Sequence, residues 1–69
     1  MTVGTIRGRI RNIKRKASSS DHDAHQLQDI LYLKVLRAIA SGRVAPEIAP
    51  VICREVLEVE KIEFCRWYS

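Results

Sequence analysis

With 69 residues, a net charge of +4 and 46% hydrophobic content, the chain has room for one small domain at most. The composition excludes full disorder, whose signature is low hydrophobicity combined with high net charge. The charge is lopsided. Residues 1–16 carry Arg7, Arg9, Arg11, Lys14, Arg15 and Lys16 with no carboxylate, whereas residues 17–69 hold six cations against eight carboxylates, a balance of −2.

A domain of this size buries only about 60% of its unfolded surface, so a lone core is marginal and wants a disulfide, a metal or a second copy. Cys53 and Cys65 are the only two cysteines and read as intracellular free thiols, not a disulfide framework. No apolar stretch of signal-peptide length follows the basic start. Lys34, Arg37, Arg54 and Glu55 interrupt the longest apolar runs, so no membrane span is expected. The expectation is a soluble, cytoplasmic protein that is oligomeric or bound to a partner.

Residues 1–20 read as a basic arm. Val3, Ile6, Ile10, Ile13 and Ala17 step by three and four, one apolar edge of a helix, yet Ile6 to Arg11 also alternates as a strand would. Gly4 and Gly8 each cost a helix about 1 kcal/mol relative to alanine. The arm is therefore expected to be disordered alone and to order on meeting a partner.

Residues 18–23 form a polar joint that opens a helix. Asp23 with Gln26 has capping-box spacing, and Ser20 with Asp23 offers the same one turn earlier. From there Ala24, Leu27, Leu31, Val35 and Ala38 share a stripe, with Ile39 at its edge. Gly42 supplies the stop, which predicts a helix over roughly 23–41. Ile30 and Leu33 point away from that stripe, and Leu36 broadens it on the other side. A helix apolar over most of its circumference is expected to be covered on more than one side, here by another copy of the chain.

Pro46 and Pro50 lie four apart, so either residues 46–49 make a separate turn or a helix starts near Pro50. Ala49, Ile52, Val56 and Val59 then step at seam spacing, predicting a second helix over about 46–63. Arg54 and Glu58 are spaced as an i,i+4 pair. The alternation after Leu57 is also compatible with a strand. Phe64, Trp67 and Tyr68 close the sequence, and such rings serve either as a partner anchor or as a lid on the chain's own helices.

No catalytic constellation is present. His22 and His25 beside Asp21 and Asp23 lack the spacing and ligand number of a closed zinc site and are better explained as a solvated helix start. Neither cysteine has a setting that lowers a thiol pKa, and Cys53 reads as a small buried residue. Glu58, Glu60 and Glu63 read as a solvated face. No cofactor is implied. Ser18, Ser19 and Ser20 read as a joint, with phosphorylation the weaker alternative.

The sequence thus predicts an all-α protein: a helical hairpin over 21–69 that oligomerises through Ile30, Leu33 and Leu36, preceded by a basic arm. Arg7, Arg9, Arg11, Lys14, Arg15 and Lys16 would meet an anionic partner, nucleic acid before an acidic protein surface, by neutralising phosphates. Nothing in the arm reads bases, because it has no recognition-helix turn, zinc-finger spacing or interleaved aromatics. A membrane-surface role fits less well, since the apolar edge lacks Trp, Phe and Leu. The competing class is a protein-binding inhibitor or accessory subunit, such as compact viral genomes encode, that binds through the helix faces and Phe64, Trp67 and Tyr68.

Overall fold

The computed structural model describes residues 1–65. Three helices follow one another: α1 (Val3–Ala17), α2 (Asp21–Ala40) and α3 (Ala49–Leu57), the last continuing into a 3-10 turn over Glu58–Lys61. Among the described residues there is no strand. No helix among them is long and apolar enough to cross a membrane.

The leading segment is the main departure from expectation. Instead of projecting as an arm, residues 3–17 form a helix whose Ile6, Ile10 and Ile13 are buried in the same core as α2 and α3. The energetic reason is plain. Two glycines cost about 2 kcal/mol together, while each fully buried isoleucine returns about 1.5–3 kcal/mol. Thr2 caps the helix by accepting the Thr5 N–H at 3.2 Å. Lys14, Arg15 and Lys16 occupy its last turn, where cations suit the helix dipole.

Ser20 starts α2, accepting from the Asp23 N–H at 3.2 Å, so the earlier of the two capping patterns is used. The short joint that Ser18–Ser20 make folds α2 back against α1 as an antiparallel hairpin. Ala24, Leu31, Val35 and Ala38 are buried as the stripe requires, Leu27 and Ile39 are partly buried, and Gln28 is a buried polar member the periodicity does not mark.

At its far end α2 closes in a Schellman motif. Gly42 has φ 76°, its N–H donates to the Ile39 carbonyl at 3.1 Å, and the Arg43 N–H donates to the Ala38 carbonyl at 3.0 Å. Ser41 adds a backbone bond to Arg37 and a hydroxyl bond to Ala38.

Residues 46–48 make their own turn, and α3 begins at Ala49 with Pro50 inside the first turn, so both readings of the proline pair hold in part. The second helix is shorter than expected, ending at Leu57. Its seam survives the change of helix type: Ile52 and Val56 are buried on α3, and Val59 on the 3-10 turn. Glu58 pairs with Lys61 at 2.8 Å, not with Arg54. Phe64 packs against the core as a partly buried ring, whereas Trp67 and Tyr68 lie outside the described residues.

The Cα positions span 35 × 22 × 15 Å. A helix with its side chains is about 10 Å across, so the thinnest dimension holds two layers and every helix keeps an outward face. On α2 that face carries three large apolar side chains among Gln26, Asp29, Lys34 and Arg37. Ile30 is 41%, Leu33 49% and Leu36 63% exposed.

Candidate anion-binding surface

The six cations of the basic segment all stand on one helix, but they do not share a face. Successive residues on a helix are about 100° apart, and the buried isoleucine edge forces the cations around the remaining arc. Arg7 and Lys14 flank the core on the α3 side, Arg9 and Lys16 flank it on the other, and Arg11 and Arg15 point away from it.

Arg7 is consumed internally. Its guanidinium donates to Glu55 Oε1 at 2.9 Å, tying α1 to α3. That hydrogen bond, with charge attraction behind it and partial desolvation opposing, holds the Glu55 carboxyl below its ordinary range. A shallow concavity of about 260 Å³ lies over the pair, lined by Arg7, Ile10, Arg11, Lys14, Glu55 and Glu58. Its charges are mixed, so it has little attraction for an anion.

Arg9 stands in the opposite setting. It lines a concavity of about 420 Å³ together with Met1, Thr5, Lys34, Arg37, Ala38 and Arg43. Four of these residues are cations and none is a carboxylate. The hairpin makes the cluster: antiparallel packing lays the start of α1 against the end of α2, and the Schellman turn brings Arg43 round to the same side. Arg9 is partly buried, and its Nε is a buried donor with no hydrogen-bond partner. The Arg43 Nε–H donates to Ser41 Oγ at 2.8 Å, which fixes the root of that guanidinium.

Among the described residues, Arg9, Arg11, Lys14, Arg15 and Lys16 form no ion pair. Arg15 donates to the Asn12 side chain. Lys34, Arg37 and Arg43 likewise make no ion pair among them. These last three were not singled out from the sequence. A signal was available, since residues 30–46 carry three cations and no carboxylate.

A second feature is apolar. Tyr32, Val35, Leu36, Cys53, Val56, Leu57 and Glu60 line a groove of about 320 Å³ between α2 and α3. Leu57 is 54% exposed at its rim. Cys53 is exposed in this groove, not a small buried residue as expected, and Cys65 is exposed too. Among the sequence-predicted interface residues, Leu36 lines the groove, Ile30 and Leu33 lie on the adjoining outer ridge of α2, and Phe64 belongs to the core margin.

At the start of α2, His25 lies 3.6 Å from Asp29, one turn on. Among the described residues no three His, Cys, Asp or Glu side chains converge as a metal site would require. Glu58, Glu60 and Glu63 are exposed, as a solvated face demands.

In comparison with known proteins, no family model, no curated protein and no solved structure matches the chain.

Proposed function

We propose that this is a non-catalytic, self-associating helical protein that binds nucleic acid through the phosphate backbone, in an assembly or regulatory role. The observation that carries the reading is the set of α1 cations left without a carboxylate among the described residues: Arg9, Arg11, Lys14, Arg15 and Lys16. A folded helix presents them at fixed positions, so each phosphate contact costs less ordering than a flexible tail would require. Recognition is by charge and shape, because no aromatic interleaves with the cations to stack on bases.

The exposed row Ile30, Leu33 and Leu36 supports self-association, for a second copy would cover it and repeat the basic surface on one assembly. The same row and the adjoining groove support the second reading, in which the helix faces bind another protein as an inhibitor or accessory subunit.

The test is the salt dependence of duplex binding, followed by fluorescence anisotropy. Each phosphate contact adds about 0.9 to the slope of log affinity against log salt. Replacing Arg11, Arg15 and Lys16 with alanine, all three exposed, should lower the slope while leaving the fold intact. A wild-type chain with no affinity for duplex DNA or RNA at low salt would refute the reading.

A further inference from the structure

We infer that the concavity between the start of α1 and the end of α2 is a phosphate-binding site, in which Arg9, Lys34, Arg37 and Arg43 hold one phosphate group. The inference deepens the proposed function and rests on it for the identity of the macromolecule, though not for the chemistry of the site.

Three observations converge on it. The concavity is lined by four cations from three successive parts of the chain, with no carboxylate among the lining residues. Like charges brought together in one hollow oppose folding, and an anion seated among them reverses the sign of that term. Next, the end of α2 does not use these cations as caps. The carbonyls of Arg37, Ala38 and Ile39 already accept backbone N–H groups from Ser41, Arg43 and Gly42. The helix end is closed, so the long side chains of Lys34 and Arg37 are left to reach into the hollow.

Finally, Arg9 carries a buried Nε with no partner in the protein. A buried donor of a charged group normally has an acceptor. Here the protein supplies none, and because that nitrogen is closed off from solvent a phosphate in the concavity is met by the terminal nitrogens of Arg9, whose fork matches phosphate oxygens in pairs. Arg43 is pre-set for this role: with Nε tied to Ser41, its terminal nitrogens are held near one position. The mixed-charge hollow over Arg7 and Glu55 makes the contrast, since there the protein supplies its own anion.

The test uses the full chain titrated with inorganic phosphate at constant ionic strength, read by NMR at the Arg9 Nε–H and by calorimetry. Saturable binding with a shifted Arg9 signal is expected. The variant K34A/R37A/R43A should weaken it by at least about tenfold, as expected for lost charge-assisted hydrogen bonds. Circular dichroism of the variant checks that the fold is kept, and the milder K34Q/R37Q serves if it is not. Equal affinity in the folded variant, or no saturable shift in the wild type, overturns the site.

A short duplex added to the phosphate-loaded protein separates the sources of the phosphate group. Displacement of phosphate by duplex identifies the backbone phosphate as the ligand. Phosphate binding that duplex leaves untouched upholds the site for free phosphate and leaves duplex binding to the other α1 cations. Duplex binding that is indifferent to K34A/R37A/R43A overturns the backbone phosphate as the ligand of this site and leaves the proposed function standing on the other α1 cations.

Discussion

Arg7 and Arg9 stand two residues apart on the same helix and meet opposite surroundings. Arg7 faces α3 and is neutralised by Glu55 at 2.9 Å. Arg9 faces the end of α2 and finds Lys34, Arg37 and Arg43. Counted along the chain the two are equivalent members of one basic block. In the fold, one is a tie between helices and the other belongs to an unneutralised cluster. The lesson is that charge density along a sequence overstates the surface available to a ligand, and that tertiary packing can restore it elsewhere with residues outside the block.

The contrast depends first on α1 being part of the core. Ile6 is 0% and Ile13 1% exposed. Either one changed to alanine should cost about 2–5 kcal/mol in chemical denaturation, because transfer and cavity terms add. A cost near zero would mean that α1 is the detachable arm the glycines suggested, and both flanks would lose their meaning.

Next in size is the outer ridge of α2. If a second copy covers it, Leu33→Asp should move the mass measured by sedimentation towards the monomer without lowering helix content, since Leu33 is 49% exposed in the single chain. A wild-type chain that is monomeric at every concentration tested would remove self-association from the account and leave the ridge to a different protein.

The smallest effect sharpens the Arg7 side. Because the Arg7 hydrogen bond lowers the folded pKa of Glu55, the pair's contribution is present at neutral pH and fades as pH falls through the folded carboxyl's range. Both side chains meet solvent, 61% and 23% exposed, so the effect is small and weakens further with salt. Comparing denaturation midpoints of Glu55→Gln and wild type should show a gap at pH 7 that closes under acid. A gap independent of pH would assign the loss to packing.

Much of the fold was legible because it rests on local periodicity. The stripe of α2 and the seam of Ile52, Val56 and Val59 read correctly from spacing, and the helical edge of α1 was one of the two readings its spacing left open. What misled was weighing the glycines and the charge of residues 1–16 without the core they border, since the gain from burying Ile6, Ile10 and Ile13 exists only after α2 is in place. The length of α3 was overestimated for a related reason: the seam spacing of Val56 and Val59 is kept by a 3-10 turn as well as by an α-helix.

The site was less legible. Ile30, Leu33 and Leu36 could be found from the helical wheel alone, as residues with no partner within a two-layer domain. The cluster around Arg9 could not, because its members are joined only by the antiparallel return of α2 and the left-handed turn at Gly42. The acid-free stretch 30–46 was the trace it left in the sequence.

The most direct test sets the two flanks of α1 against each other in one duplex titration across a salt series. The variants are Arg9→Gln and the charge-neutral pair Arg7→Gln with Glu55→Gln. The account predicts that Arg9→Gln lowers the slope of log affinity against log salt by about 0.9, the loss of one phosphate contact, while the double variant leaves it unchanged. Equal slopes for the two variants, or a drop confined to the Arg7 side, would contradict it.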